Sequence, residues 1–476
     1  MNAIVLSAVW GVVMMLCSAF VKNTKSYKTV ALAGLVLTLL ANICETYGQP
    51  AFQMPLYGML KFERFGLYFN SLAVICTLAY VLLLGKEIER VGNYAAEYFA
   101  LIFFTLCGIF ILTSFNNLLT LFLGIEIMSI PLYILTGAQK LNLRGNEASL
   151  KYLLMGSFST GIMVMGIALM FGGRGTFSLD AIPQQDLPLG GALGTPISFL
   201  TVAGMLLLLA SMCFKVSAAP FHFWAADVYD GAPSVFTAFM ATVVKAGAFI
   251  AFIRLFIMLA PQTDVAVNRY VGVNWNMLFA VIIIATLVFG NITAVFQQSV
   301  KRMLAYSSIA QAGFMLFAVL SQNAWAKEGL LVYTVAYSFA TIGIFAVLVK
   351  MEDHSFEGYN GLAKTHPALA FANLVFFLSL AGIPLTAGFL AKYYILLSLL
   401  QVQGFVWLAV VGMIFAAISV YYYFRVIQAM YFKDGNVAFK FEISNAFKIL
   451  IVVLALLIIV IGVYPQIISF FLYFKN

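Results

Sequence analysis

The amino-acid sequence is a succession of apolar runs, each long enough to cross a lipid bilayer and each followed by a polar connection. A crossing takes about 20 apolar residues for about 30 Å of hydrocarbon. Such runs fall near 3–21, 29–47, 66–84, 97–115, 117–137, 148–171, 197–226, 235–258, 275–296, 302–321, 329–350, 368–400, 404–427 and 446–472. Of the 476 residues, 63% are hydrophobic and 9% charged, and no single water-soluble core could hide that much apolar surface. The predicted fold class is therefore all-α and integral to the membrane, with about 14 transmembrane helices. The opening stretch MNAIVLSAVWGVVMMLCSAF has no basic residue ahead of its apolar run and no small-residue cleavage site at a suitable distance. It reads as a retained first span rather than a signal peptide.

Two runs are too long for one crossing. Residues 197–226 and 368–400 would form straight helices of about 45 and about 50 Å at about 1.5 Å per residue. Each contains a breaker, Pro220 in SAAPF and Gly382 with Pro384 in LAGIPLTAGF. Both are predicted to be discontinuous helices hinged at these residues. Backbone groups freed inside a membrane are tolerated only where protein or a water-lined cavity supplies partners.

Basic residues set the orientation. The odd-numbered connections hold 16 of the 26 lysines and arginines, Lys151 at the start of span six among them, and the even-numbered ones hold seven. Odd connections should face the cytoplasm, with both termini on the opposite side. The net charge of +8 follows from this asymmetry and requires no anionic partner.

Three lysines are left over, Lys215, Lys245 and Lys392, each within a predicted span, and one acid, Glu126, lies deep in LFLGIEIMSIPLYIL. A charged side chain at mid-bilayer costs about 2.5–3.5 kcal/mol on insertion scales, so such residues pair, face the bundle interior or line hydrated paths. Burial penalises the charged form of an ionisable group and an opposite charge nearby favours it. A glutamate and lysine at adjustable separation therefore make a proton site whose affinity depends on geometry. The expected arrangement is a lateral chain Glu126, Lys215, Lys245, Lys392 near the membrane midplane, with the helix breaks admitting water.

Other features read more plainly. His222, beside the first break, is a candidate relay or a satisfied interfacial side chain. Lys151 is a candidate for proton uptake as well as a positive-inside anchor. The five cysteines are isolated, so neither an iron–sulfur nor a zinc site is expected. The glycine clusters GGRG (172–175) and GGALG (190–194) lack the strand–helix setting of a nucleotide site and read as turns.

Three motifs carry a family resemblance: FKVSAAPFHFWAADVYDGAP (214–233), VKRMLAYSSIAQAGF (300–314) and AGIPLTAGFLAKYYIL (381–396). Together they closely resemble the antiporter-like membrane subunits of respiratory complex I, over essentially the whole chain and most clearly across about residues 90–430. Sister subunits L and M, and Mrp cation/proton antiporter subunits, usually carry an acid where this chain has Lys392, which is similar to the N-type branch. The resemblance implies two inverted five-helix repeats, spans 4–8 and 9–13, each with one discontinuous helix. It divides the chain into 1–90, 91–260, 270–428 and 429–476. It makes Glu126 and Lys215 a coupled pair, Lys245 the connecting residue and Lys392 the terminal one, with Lys151 and His222 in a second tier. Relatives often have histidine at Gln311; a glutamine does not titrate, so a relay there needs water or Tyr306. The second half has no acid matching Glu126.

The function implied is proton translocation in a NADH:quinone oxidoreductase, without a cofactor or metal in this chain. Flavin, iron–sulfur clusters, NADH and quinone would sit in partner subunits. The partners implied are antiporter-like subunit M, small subunits such as K, and lipid, with no nucleic acid, in a bacterial inner membrane with periplasmic termini. The alternative is an Mrp-type cation/proton antiporter subunit. A polytopic transferase would need acidic or histidine clusters in large loops, which these connections are too small to hold; a pure scaffold would tolerate loss of Lys215.

Overall fold

The computed structural model describes residues 1–20, 25–53, 55–180, 199–259 and 273–468. The glycine run at 190–194, the residues Lys22, Arg269 and Lys475, and the run ends at 21, 197–198 and 469–472 lie outside the described residues. In chain order the helices are Asn2–Phe20 (α1), Lys25–Thr46 (α2), Arg64–Ile88 (α3), Ala95–Ser114 (α4), Leu118–Thr136 (α5), Leu143–Arg174 (α6), Phe199–Val216 (α7), Phe223–Gly231 (α8), Ser234–Leu259 (α9), Trp275–Val295 (α10), Val300–Ser321 (α11), Ala324–Leu348 (α12), Pro367–Ala381 (α13), Ala387–Leu400 (α14), Val406–Phe432 (α15) and Asn445–Val463 (α16). Thirteen of these are long and apolar enough to cross a membrane, and the shorter pair α13 and α14 supplies a further crossing. Among the described residues the only β-type pairing is isolated bridges, such as Leu60 with Phe115.

Both long runs are broken, and by the same device. At the end of α7 the Ser217 N–H donates to Phe214 O and the Ala218 N–H to Cys213 O. At the end of α13 the Gly382 N–H donates to Ser379 O and the Ile383 N–H to Leu378 O. This double bond pattern is the Schellman helix stop, which needs a left-handed residue. Gly382 supplies it at φ +85° and Ser217 at φ +61°. The first hinge therefore begins at Ser217, three residues ahead of Pro220, which lies inside the non-helical stretch. The second is placed as expected, with Gly382 and Pro384 both between α13 and α14.

The helices fall into two groups of five crossings, α4–α9 and α10–α15, each with one broken member. Five is odd, so the second group starts from the opposite face. Two close approaches mark the correspondence. A Cβ on Gly108 of α4 would meet Met128 N of α5 at 2.4 Å, and one on Gly290 of α10 would meet Ala310 N of α11 at 2.5 Å. Small residues let backbones approach in this way where no hydrophobic drive separates helix from lipid. Both partners of the contact are displaced by the same 182 residues (290 minus 108, 310 minus 128). That register sets Ser308 against Glu126, so the position without an acid in the second group is a serine.

The middle of the molecule is α9, α11 and α12, which are almost wholly buried. The odd-numbered connections share one face, where a cavity of about 410 Å³ is lined by Arg90, Arg144, Asp230, Lys301, His354 and Lys440 among others. On the opposite face Arg254 reaches Glu63 at 3.1 Å and Phe115 O at 2.7 Å. Of the cysteines, Cys76, Cys107 and Cys213 are buried, Cys17 is partly buried and Cys44 is exposed.

At the basic face a buried ion pair pins distant parts of the chain together. Lys350, just past α12, contacts Glu87 of α3 at 2.5 Å, with both side chains under one-tenth exposed. The Lys350 ammonium also lies over the Phe447 ring of α16, while Arg90 joins Glu87 and stacks on Phe441. Removing one partner strands the other charge. Glu87→Ala is expected to cost about 3–5 kcal/mol, read as a lowered melting temperature of the purified protein in detergent. The double change Glu87→Leu with Lys350→Leu should recover most of that loss; a single Glu87→Ala variant that melts like the parent would contradict the pin.

Candidate functional site

Lys245 opens the second α-helical part of α9, after Ser234–Phe239 and a π-helical turn at Met240–Val244. Such a turn widens a helix by one residue and recurs at functional positions. The side chain is buried, and its Nζ donates to Ser308 O at 2.9 Å and Ser308 Oγ at 3.1 Å, beneath the Tyr229 ring. Among the described residues no carboxylate takes part. The ammonium is held by a serine, a carbonyl and an aromatic face.

Lys392 sits on α14 but reaches back across the break. Its Nζ donates to Leu380 O and Ala381 O, both at 2.9 Å. These are the last carbonyls of α13, where the helix dipole concentrates negative charge. The lysine therefore satisfies backbone groups that the break would otherwise orphan. The approach is close: a Cβ on Gly382 would lie 2.9 Å from Lys392 Cδ.

One helix touches both lysines. Ser308 of α11 holds Lys245, and one turn further Gln311 Nε2 donates at 3.1 Å to Leu380 O, the carbonyl that also receives Lys392. Tyr337 lines, with Gln311, Tyr333 and Lys392, a cavity of about 10 Å³. Serine, glutamine and tyrosine side chains of α11 and α12 thus lie about the two lysines.

Glu126 and Lys215 lie in the first group, both partly buried. Glu126 Oε1 accepts from Thr160 Oγ1 at 2.8 Å, and Lys215 Nζ donates to Ser129 Oγ at 3.2 Å. Ser129 is one turn from Glu126 on α5, so the carboxylate and ammonium are neighbours, but among the described residues they form no direct ion pair. Lys215 occupies the last turn of α7, the favourable end for a cation. Between Lys215 and Lys245 the described residues include no hydrogen-bonded link.

Lys151 lies at the basic face, 2.8 Å from Glu147 and 3.2 Å from Asp227. Asp227 also meets Arg302 at 3.4 Å, so one carboxylate of α8 ties α6 to α11. His222 is buried and stacked on Phe289, and it makes no hydrogen bond to the four central residues. Tyr306 does not stand in for Gln311: the groups on the glutamine are Tyr333 and Tyr423. Sequence reasoning missed Ser129, Thr160, Tyr333, Tyr337 and Tyr423, because uncharged polar residues do not register in a charge audit, and Asp227, because it falls just outside the run 197–226. The serine pair in AYSSIAQAGF and the aspartate in FWAADVYD were visible but unassigned.

A match to the family described as NADH:quinone oxidoreductase/Mrp antiporter, TM, covers residues 115–419. The chain is 38% identical over 476 residues to NADH-quinone oxidoreductase subunit N of Cytophaga hutchinsonii, covering 98% of each chain. It is 36% identical over 470 residues to the protein of that name from Trichlorobacter lovleyi, covering 98% of this chain and 94% of the relative. The chain belongs to the NADH:quinone oxidoreductase/Mrp antiporter membrane family. Among solved structures it is similar to a chain of respiratory complex I from Thermus thermophilus with bound aureothin, at a TM-score of 0.79 and 30% identity, with 98% of both chains covered. A chain of the Mrp complex from Dietzia shares the fold at a TM-score of 0.82 and 18% identity, covering 98% of this chain and 95% of that one.

In this member of the NADH:quinone oxidoreductase/Mrp antiporter family the cavity on the basic face lies between connections from both groups. His354 lines it, and its Nε2 has no hydrogen-bond partner. Burial, followed by the charges of Lys301 and Lys440, lowers the His354 pKa from 6.5 to about 4. A group depressed on folding contributes stability that is present above its unfolded pKa and lost as pH falls toward its folded one. The window here is about pH 6.5 to about 4. Over that window the melting temperature of the purified protein should fall less steeply in His354→Gln than in the parent; equal slopes would contradict the assignment.

Proposed function

We propose that the chain is the N-type, proton-translocating membrane subunit of a NADH:quinone oxidoreductase, moving protons through buried lysines while quinone is reduced in other subunits. The observation that carries this is the shared helix α11, which joins Lys245 to Lys392 in the most buried part of the molecule. In this reading Glu126 and Lys215 are the adjustable pair, Lys245 the connecting site and Lys392 the terminal one. Lys151 and His222 remain second-tier candidates. The hinges at Ser217–Pro220 and Gly382–Pro384 let the half-helices shift against them.

The geometry suits proton exchange because neither Lys245 nor Lys392 has a fixed counter-ion. Each ammonium is stabilised by oriented dipoles, and two like charges in a low-dielectric interior repel strongly. In this reading a proton leaving Lys245 passes first to Ser308 as that hydroxyl releases its own, and Lys392, across the cavity lined by Tyr337 and Tyr333, receives one at its amine. At the other end Lys215 is held by Ser129, one turn from Glu126, so the partly buried pair can approach or part without breaking a direct bond.

The same proposal divides the chain into 1–90, a repeat at 91–260, an inverted repeat at 270–428 and 429–476. It places the basic face in the cytoplasm of a bacterium, both termini in the periplasm, and an antiporter-like subunit M and small subunits such as K alongside. It assigns no redox centre to this chain and leaves flavin, iron–sulfur clusters, NADH and quinone to partners. Copurification with a flavin- and iron–sulfur-bearing arm tests the assignment. In the complex reconstituted into vesicles, Lys215→Ala and Glu126→Gln should slow coupled proton translocation by about a hundredfold or more. Full translocation in both variants would point to a scaffold. Activity that depends on sodium would point instead to cation/proton antiport.

A further inference from the structure

The cavity of about 410 Å³ on the basic face has no part in the transfer proposed between Lys245 and Lys392. Its size is that of a small-molecule site, usually about 300–1,000 Å³. Four cations line it, Arg90, Arg144, Lys301 and Lys440, against two carboxylates, Glu87 and Asp230. Both carboxylates are already engaged, Glu87 by Lys350 and Arg90, and Asp230 by Arg302 at 3.6 Å. Arg144 and Lys440 meet no carboxylate among the described residues. A cleft lined by uncompensated charge of one sign focuses the field and draws in counter-ions.

Other groups in the lining are short of a partner. Lys301 is 6% exposed, and its Nζ donates to Asp230 O at 2.6 Å and Ala232 O at 2.7 Å, which leaves the third ammonium hydrogen. His354 Nε2 is buried without a hydrogen-bond partner, and such an atom points to a group that the chain itself does not supply. Burial, and then the positive charges of Lys301 and Lys440, keep this imidazole neutral, with its pKa lowered from 6.5 to about 4. The amino end of α9 also borders the cavity. Its first intrahelical bonds run from Phe236 N and Thr237 N to Pro233 O, and no side chain caps it. The N–H groups of Ser234 and Val235, both in the lining, therefore precede the ladder, at the positive end of a helix of 26 residues.

We propose that this cavity binds a phosphate ester, which ties the basic ends of the two helix groups together. A phosphate suits the lining because one group carries both the negative charge and several acceptor oxygens. It can meet guanidinium, ammonium, imidazole and backbone N–H donors at once. A metal cation finds no place, since both carboxylates are committed to basic side chains. The donors come from distant parts of the chain: Arg144 and the start of α9 from the first group, Lys301 and His354 from the second, and Lys440 from the connection before α16. The bound ester relieves the repulsion among these cations and so favours their convergence. It is presented either by the headgroup of an anionic phospholipid at the membrane surface or by a soluble phosphomonoester.

The test follows the exposed amine of Lys440 in the assembled complex, stripped of lipid in a phosphate-free maltoside detergent. Its acylation by an N-hydroxysuccinimide ester is measured by peptide mass spectrometry, with exposed Lys433 outside the cavity as the internal reference. Glycerol 3-phosphate and phosphatidylglycerol are the two probes, each compared with sodium chloride at equal ionic strength. A probe at ten times its dissociation constant should slow Lys440 acylation by about tenfold relative to Lys433. Protection by glycerol 3-phosphate identifies a soluble ester as a sufficient occupant, and protection by phosphatidylglycerol alone identifies a lipid headgroup. The exposed Arg144 can be changed without touching the core, and Arg144→Gln should abolish most of the protection. No protection by either probe beyond that of sodium chloride would overturn the site, as would undiminished protection in Arg144→Gln. The readout is acylation of one lysine rather than proton flux, so failure here would leave the N-type assignment standing.

Discussion

A positive charge inside hydrocarbon must be met by something, and in this molecule it is met mainly by dipoles. Lys392 is held by the final carbonyls of α13, Lys215 rides in the last turn of α7, and Lys245 rests on a serine and its carbonyl. Helix ends are normally a liability in a membrane, because four carbonyls at each lose their partners. Here the breaks turn that liability into a cation site. The polarity of the half-helix, with negative potential at its C-terminal end, explains why both broken helices bring a lysine to that end.

The two halves solve the same problem with different residues. In the first, a carboxylate at Glu126 and an ammonium at Lys215 flank Ser129. In the second, the matching position is Ser308, and the cation it holds is Lys245 from the neighbouring helix. An acid there would fix Lys245 as a permanent ion pair; a hydroxyl leaves the charge dependent on dipoles, as the proposed gain and loss of a proton requires. The half containing a carboxylate is also the less buried half around its ionisable pair.

Much of this was legible in the sequence, since the strongest physical constraint, apolar length against bilayer thickness, acts on composition. All fourteen crossings and both interruptions follow from it, as does the isolation of Glu126, Lys215, Lys245 and Lys392. What was not legible came from contacts between helices distant in the chain. Pro220 drew attention to the first break, yet the helix stops at Ser217, because a serine in a left-handed conformation leaves no mark in a pattern of apolar residues. Gln311 looked like a gap in the relay until Tyr333 and Tyr423, 22 and 112 residues away, appeared on its two ends. The π-helical turn ahead of Lys245 has no sequence signal that we identify.

The central claim is that buried lysines joined through α11 carry protons. It is tested most directly by the number of protons moved per pair of electrons in vesicles containing the complex with Lys245→Met, a change that keeps side-chain length and removes the titratable amine. The expected result is a complex that assembles normally while translocation through this subunit stops. Parental proton yield at parental turnover would contradict the claim, since the chain would then move protons without the residue at its centre.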